Sequence, residues 1–442
     1  MKKHILPLLI LLFSLQISHA ASSSVGAVDM REAKINVCLP DSLETQPQAG
    51  DLRAWCHPEG KPESKKTAYS VRTPSPLNGN TTECVFEGLS PNTQYTYVVE
   101  DAKGQKLFSG SFKTKPDYKD RTPPPDFTFA VLGANYVNDK NFDPPFRTPG
   151  AEYEIYEALK NAKPDFAIWA DGLNVLRNAD VGSRSGIFSR YRSARNFEKI
   201  NAALESQANY AVMSASNFGK NNPDSASASK SAAVDAFKSF WANPEPSVEG
   251  VQAYTFEYSD AQFFVLDDCS ARSNLDYKQD KPYMLGAAQT RWLKDALENS
   301  QAKFKIVVIN SPFANPVKSK SNFTFAADER KEIMDFLLAK KIGGIVFLSA
   351  NKGYGEITRL VRAGAYPIVD ATTAPLTNRP AAEIEELNYF RMPGSGITKR
   401  AFLQVKIDGT ENERAISFTF IDSKGKPLFS TSIKEAELYK FE

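Results

Sequence analysis

Histidine is scarce in this sequence. Its 442 residues include three, His4, His19 and His57, and the first two fall in a stretch built like a cleavable leader. A single imidazole is then left for the mature chain. A Ser-His-Asp triad is excluded unless the segment around His57 folds over the site, because the base must touch the nucleophile. Cys269 has no nearby histidine partner either, and Ser311 and Ser349 read as turn formers. Net charge is also lacking: the formal value of +2 supplies no field for nucleic acid or an anionic membrane. No glycine-rich phosphate loop occurs in a strand–helix context. Cysteine is limited to Cys38, Cys56, Cys84 and Cys269. In an oxidising compartment one disulfide is expected among the first three, Cys56–Cys84 or Cys38–Cys84, with buried free thiols as the other reading.

Long apolar runs are missing as well. Ile5 to Leu15, broken by Pro7 and Ser14, is too short to span a bilayer as a helix, and no later stretch is apolar for long enough. What is present at the start is the basic Met1-Lys2-Lys3, this apolar run, and the small residues of Ser18-His19-Ala20. Together they read as a secretory signal peptide, residues 1–20, cleaved after Ala20. No Cys follows the cleavage site, which argues against a lipid anchor. The expected product is secreted or periplasmic, with no membrane span.

Residues 25–116 read as a small all-β domain. Short β-branched and aromatic runs at Ala68 to Val71, Thr82 to Phe86, Thr93 to Val99 and Phe108 to Lys113 are separated by turn residues such as Asn78-Gly79-Asn80 and Lys103-Gly104. Residues 117–126, with three consecutive prolines, form a linker. From Phe127 to residue 442 the pattern changes. Buried strands at Phe127 to Leu132, Phe166 to Ala170, Tyr210 to Met213, Ala261 to Asp267, Lys305 to Asn310 and Gly344 to Ser349 alternate with amphipathic helices, among them Ala287 to Glu298 and Ala327 to Ala339. This alternation predicts an α/β layered core. A hairpin at Val251 to Tyr258 and Ala261 to Asp267 adds antiparallel pairing, and the tail from Ala401 returns to β structure. Residues 220–233, rich in Ser, Ala and Asn, are expected to form a mobile surface loop.

In open α/β folds the site lies beyond the carboxyl ends of the core strands. The residues there are Gly133-Ala134-Asn135, Asp171-Gly172-Leu173-Asn174, Ser214-Ala215-Ser216-Asn217, Asp267-Asp268, Asn310-Ser311 and Ala350-Asn351-Lys352. Several of these loops carry a family resemblance. Pro164-Asp165-Phe166-Ala167-Ile168-Trp169 followed by Asp171-Gly172 resembles a "PDF…W.GDN" strand and loop. Tyr210-Ala211 with Phe218-Gly219, Phe264-Val265-Leu266-Asp267-Asp268, Leu285-Gly286 with Gln289, Trp292 and Leu293, and Val346-Phe347-Leu348-Ser349 with Tyr354 and Glu356 follow in the matching order. Over about Phe127 to Ile407 the chain is similar to the PhoD-like metallophosphatases (the alkaline phosphatase D family), which hydrolyse phosphate esters at a binuclear metal site. The segment from Val85 to Tyr97, with Gly110 to Thr114, resembles a fibronectin type III-like domain, in which Leu89 and Tyr95 pack the last hairpin. The resemblance implies a metallophosphoesterase-type β-sandwich flanked by helices, α/β (α+β) in class, preceded by a small fibronectin-like sandwich.

The departures from the family fall on its ligands. Gly-Asp-Asn becomes Asp171-Gly172-Leu173, which puts Gly172 at the bridging carboxylate position. Trp-Asp-Asp-His-Asp becomes Met213-Ser214-Ala215-Ser216-Asn217, and Gly-Asp-Arg-His becomes Ala350-Asn351-Lys352-Gly353. Two cations about 3.5–4 Å apart need several anionic ligands to offset their repulsion, and Ser, Ala, Asn and Gly do not supply them. The expectation is a pseudoenzyme with no catalytic residues and no cofactor. Its vestigial cleft comprises Asp171, Gly172, Ser214, Ser216, Asn217, Asn351 and Lys352, and is offered to an anionic or phosphorylated ligand or to a cell-envelope protein or glycan. Arg192 and Arg195 are candidates for holding an anion, or else partners of Glu198 and Glu205. Asp267-Asp268 reads as a strand-end cap. One alternative is a residual phosphoesterase with one weakly held divalent cation on Asp171, Asn217 and Asn351. The other is a purely structural protein whose cleft is filled by side chains, with Leu173 and Met213 as the plug.

Overall fold

The computed structural model describes residues 22–39, 52–219, 223–274 and 281–441. The signal-peptide reading, with His4 and His19, lies outside them. The N-terminal domain is a sandwich of two four-stranded sheets. One runs β1 (Ser22–Val28), β2 (Glu32–Cys38), β6 (Thr81–Glu87), β5 (Tyr69–Ser70) in spatial order. The other runs β4 (Lys66–Thr67), β3 (Arg53–Pro58), β7 (Gln94–Glu100), β8 (Lys106–Lys113). Alternate residues of each sheet meet in the core, Ile35, Cys84 and Phe86 from one and Cys56, Tyr95, Tyr97 and Phe112 from the other, as the two-residue repeat of a strand requires. Leu89 and Tyr95 are buried there as expected, and the Ser90 N–H donates to the Tyr95 hydroxyl at 2.9 Å.

The expected disulfide is corrected: all four cysteines are buried thiols, and none forms a disulfide among the described residues. Cys38 faces Thr81 across the β2–β6 ladder while Cys84 faces Ile35. That three-residue offset sends Cys38 to the core of the second domain and Cys84 to the sandwich core. Cys56 and Cys84 share the sandwich core as small hydrophobes, and burial pushes each thiol up to about 12.

The second domain stacks two six-stranded sheets. The first has the order β11 (Ala208–Ala211), β10 (Phe166–Trp169), β9 (Phe127–Leu132), β18 (Ala401–Asp408), β19 (Ala415–Asp422), β20 (Pro427–Lys434). The second has β12 (Tyr254–Tyr258), β13 (Ala261–Val265), β14 (Phe304–Val308), β15 (Ile345–Ser349), β17 (Ala365–Thr372), β16 (Glu356–Arg362). β9, β10 and β11 are parallel, as are β13, β14, β15 and β17; the others pair antiparallel. Phe129, Val131, Phe166 and Ile168 point between the sheets against Phe263 and Ile306. The Phe129 and Phe166 rings stack at 4.9 Å, and Phe166 meets Phe263 edge-on at 5.4 Å. Their neighbours Ala130, Leu132, Ala167 and Trp169 face outward. That outer face is covered by α1 (Ile155–Ala162), α2 (Arg184–Arg195), α3 (Glu198–Ser206) and α4 (Lys230–Phe240). α5 (Gly286–Asn299) and α6 (Ala327–Ala339) pack on the second sheet. The expected sandwich flanked by helices is therefore present.

Residues 220–233 do not form a single surface loop. Residues 220–222 lie outside the described set, but Ser227 and Ser229 are buried and α4 begins at Lys230. Ala233, Ala236, Phe237 and Phe240 recur at helical spacing and pack on α2, where Tyr191 stacks on Phe240 at 5.2 Å. Among the described residues no helix is long and apolar enough to cross a membrane.

Main-chain acceptors join the two domains. Arg72 donates to the Lys238 and Ser239 carbonyls at 3.0 and 2.7 Å, and Arg184 to that of Leu77 at 2.6 Å. The Ala27 N–H donates to the Ala242 carbonyl at 2.8 Å. Gly26 allows that approach, since a Cβ there would lie 2.4 Å from the Ala242 Cβ.

Candidate functional site

The carboxyl ends of β10, β11, β13, β14 and β15 converge on one set of loops. Asn310, after β14, ties three of them together. Its amide donates to the Ala170 carbonyl at 2.9 Å and its Oδ1 accepts from the Ala215 N–H at 3.2 Å; its own carbonyl accepts from Ala350 at 3.0 Å. Asp171 lies inside this knot, 5 % exposed. Burial pushes its carboxyl above the usual range. The hydroxyls of Ser216 and Ser214 and the Asn310 amide pull it back in part, while Asp268 pushes it further up. Its Oδ1 has no hydrogen-bond partner.

The other cleft candidates are largely occupied by one another. The Asn217 Oδ1 accepts from the Ser214 N–H at 2.8 Å and the Ser214 hydroxyl at 2.9 Å, and its amide donates to the Tyr191 hydroxyl at 2.5 Å. Both ends of that amide are spent in fixing a 3-10 turn, Ala215–Asn217. Asn217 is therefore not free to join Asp171 and Asn351 around a cation. Gly172 has φ +67°, and a Cβ placed there would lie 2.8 Å from the Ser216 Cβ. This loop shape leaves no room for a bridging carboxylate. Asn351 also holds a left-handed backbone, φ 58°, and its Nδ2 has no partner.

Lys352 is not a free cation. Its ammonium pairs with Glu386 at 2.5 Å and donates to Ser321 at 3.0 Å, and its side chain is 5 % exposed. Arg192 and Arg195 lie at the domain interface rather than in the cleft, which corrects the anion reading for both. Arg192 donates to the Gly79 carbonyl at 2.9 Å. Arg195 is buried, with Nη1 on Asn36 Oδ1 at 2.8 Å and on the Phe240 carbonyl at 3.3 Å. Asp267 is a strand-end cap, as expected, accepting from the backbone N–H groups of Gln252, Cys269 and Ser270 at 2.9, 3.1 and 2.9 Å. Asp268 likewise accepts from the Ser311 N–H at 2.8 Å.

The fit to a two-metal centre fails on the donor set. Asp171 and Asp268 are the carboxylates left beside hydroxyls and amides, and Asp268 is already hydrogen-bonded. Among the described residues no group of three or more His, Cys, Asp or Glu is placed to hold a metal ion. Leu173 and Met213, next to Gly172 and Ser214, are fully buried in the helix-side core.

Sequence reasoning missed Arg272, on the loop after β13. It is completely buried and makes no ion pair among the described residues. One nitrogen donates to the Lys320 carbonyl, while Nε and Nη1 have no partner. Ser270 Oγ, Ser311 Oγ and Asn322 Oδ1, on the same group of loops, are also unpartnered. The only hint in the sequence is a lone basic residue shortly after the Asp267-Asp268 strand end.

Residues 205–389 match the family model described as PhoD-like phosphatase. No curated protein matches the chain. Among solved structures, one of PhoD is similar with a TM-score of 0.76 at 15 % identity, over 94 % of this chain and 90 % of that one. Purple acid phosphatase PPD1 from yellow lupin (Lupinus luteus) seeds gives a TM-score of 0.68 at 11 % identity, over 94 % and 74 % respectively. These likenesses are of fold.

Proposed function

From a chain that carries a PhoD-like phosphatase domain on a metallophosphatase fold, we propose an exported binding protein that no longer hydrolyses phosphate esters. The observation that carries this reading is Gly172. Gly172 stands where the resemblance implies a bridging carboxylate, and at φ +67°, with the Ser216 Cβ 2.8 Å from a Cβ placed there, a side chain is strained and must displace its neighbour. Around it Ser214, Asn217 and Asn310 are engaged with one another and with neighbouring backbone and Tyr191, which supports loops that fold without a metal at their centre.

The test is direct. Purified protein, incubated with manganese, zinc or iron and desalted, is assayed for metal content by mass spectrometry and for turnover of p-nitrophenyl phosphate and bis(p-nitrophenyl) phosphate. The expected result is substoichiometric metal and no turnover above buffer. Stoichiometric metal with turnover abolished by Asp171→Ala would overturn the reading in favour of a residual phosphoesterase. Export is checked by N-terminal sequencing of the mature protein, which should begin at Ala21.

Arg272 favours a second reading of what these loops bind. A buried guanidinium without a carboxylate is costly, and its two unpartnered N–H groups, with Ser270 and Ser311 on the same loops, suit a compact oxoanion. Phosphate that stabilises the wild type but not Arg272→Met supports that role. Equal stabilisation of both proteins removes it.

A further inference from the structure

A sheet edge is a template for one more strand, and folded proteins close or blunt their edges. Two edges of the second domain are closed. At β11 the Asn243 side-chain amide exchanges hydrogen bonds with the Ala211 N–H and carbonyl at 2.9 and 3.1 Å. At β16, Gly355 and Ile397 exchange two bonds of 2.8 Å, and the Arg359 N–H donates to the Phe390 carbonyl at 2.9 Å. β20, the outermost strand of the first sheet, has no such cover. Among the described residues no main-chain hydrogen bond reaches residues 428–433 from beyond β19.

The end of the ladder fixes the direction of the free groups. The Glu435 N–H donates to the Arg414 carbonyl at 2.8 Å and so continues the bonds to β19, while the Lys434 N–H turns to the Glu437 carboxylate at 3.2 Å. Antiparallel bonds alternate along a strand, and the pairing from Phe420–Phe429 to Ala415–Lys434 is regular. Ser430 and Ser432, both exposed, therefore direct their N–H and C=O groups away from β19. Pro427 and Lys434 bracket a stretch, Leu428 to Ile433, that itself has no charge and no proline.

The strand is also complementary to itself. Antiparallel pairing with a second copy, about a twofold axis at Thr431, sets Ser430 opposite Ser432 and Phe429 opposite Ile433. The Ser430 and Ser432 hydroxyls already close the cross-strand pairs Thr419–Ser430 and Ser417–Ser432, each at 3.0 Å, and this register joins one copy's pair to the other's. On the opposite face Ile433 lies in the core and Phe429 packs at its border, so the apolar layer runs on as well. Lys434 falls opposite Leu428, which leaves no like charges facing each other. An axis at Ser430 or Ser432 instead sets Ile433 opposite Pro427 or Phe429 opposite Glu435. We propose that β20 pairs with β20 of a second copy, so that two six-stranded sheets join into one of twelve strands. Such an interface is isologous and closed, and it uses up the edge rather than propagating it. This inference is independent of whether the strand-end loops retain any activity.

Sedimentation velocity of the full chain over about 1–100 µM should show a monomer passing into a dimer. Ser430→Lys with Ser432→Lys sets like charges opposite each other twice. It should weaken association by about tenfold or more and leave thermal unfolding of the dilute monomer unchanged. Ser430→Asp with Ser432→Lys pairs opposite charges across the same positions and should restore the dimer. Thr431→Cys should cross-link on mild oxidation, since directly opposed Cα atoms lie about 4.5–5.5 Å apart, within disulfide reach; Ser417→Cys, one strand further in, should not. A monomer throughout the range overturns the proposal, as does a dimer indifferent to the paired lysines or cross-linked equally through position 417. If the lysine variant does not fold, Thr431→Cys decides, and the absence of a cross-link there refutes the pairing.

Discussion

Replacing Gly172 tests whether the backbone there rejects a side chain on geometric grounds. Gly172→Ala adds a Cβ at φ +67°, 2.8 Å from the Ser216 Cβ. The left-handed backbone costs a non-glycine residue about 1–2 kcal/mol, and an overpacked contact typically adds about 1–3 kcal/mol. A loss of roughly 2–5 kcal/mol is expected. Gly172→Asp restores the carboxylate of the bridging position. Asp tolerates the left-handed region better than Ala, but its charge would join Asp171 and Asp268 in a buried site, so it should be no more stable than the alanine variant at neutral pH. Ser216→Gly in the Gly172→Ala background removes the contact but not the backbone term, and should recover about 1–3 kcal/mol. Urea unfolding of the four proteins at constant pH gives the energies, and metal analysis of Gly172→Asp shows whether the carboxylate recruits cations. Gly172→Ala within ~0.5 kcal/mol of wild type, the scatter expected for neutral surface changes, would mean that the loop relaxes freely. The steric part of the reasoning would then be wrong.

Three further outcomes follow from buried polar groups. Asp370 accepts from the Phe313 and Ala314 N–H groups at 2.7 and 2.9 Å and from the Ser349 hydroxyl at 2.6 Å. Burial nonetheless pushes its carboxyl up to about 6. The native state therefore holds this proton more tightly than the unfolded chain, so its contribution is favourable at low pH and is lost as pH rises through about 6. Asp370→Asn should remove about 2–3 kcal/mol of stability difference between pH 4 and pH 8, read as a flatter pH dependence of urea midpoints; an unchanged slope refutes it. Glu386→Gln leaves the nearly buried Lys352 ammonium without its carboxylate and should cost about 1–3 kcal/mol, measured by thermal unfolding. Arg195→Met strips the Asn36 and Phe240 acceptors of their buried donor and should cost about 2–4 kcal/mol. Limited proteolysis should then cut between the domains earlier than in wild type.

Strong apolar periodicity made much of the fold legible. Phe127–Leu132 and Ala327–Ala339 have the bounds that the hydrophobic pattern predicts. Weak patterns did not reveal theirs. β1 reads Ser-Ser-Ser-Val-Gly-Ala-Val, too small and polar to announce a strand, yet it is buried against the second domain. α2 hides because its inward face includes Arg190 and Arg195, which donate largely to backbone carbonyls that no side-chain pattern reveals. α4 was obscured by the serines ahead of it. At the site the residue types at the strand ends, Gly172, Ser214, Ser216 and Asn351 among them, could be read directly, because they are the sequence itself. The locations of Arg192, Arg195 and Lys352 could not, since the partners of a cation depend on which loop the fold brings to it. Arg272 escaped for the same reason: its significance is the absence of a partner, which only coordinates can show.

The arginines that join the domains have an asymmetric consequence. Arg72, Arg184, Arg192 and Arg195 all donate to main-chain carbonyls; Arg195 also reaches the Asn36 side chain, and Arg184 that of Asp235. Every residue type presents a carbonyl, so Leu77, Lys238 and Ser239 can be exchanged without removing an acceptor, provided the local backbone keeps its course. The arginines have no such latitude, because no other side chain offers the same planar fork. This arginine-to-carbonyl part of the joint is therefore written on one side only. Sequence drift on the acceptor surfaces leaves it standing, whereas a single change on the donor side opens it, and two such chains could differ widely in sequence while holding their domains in the same pose.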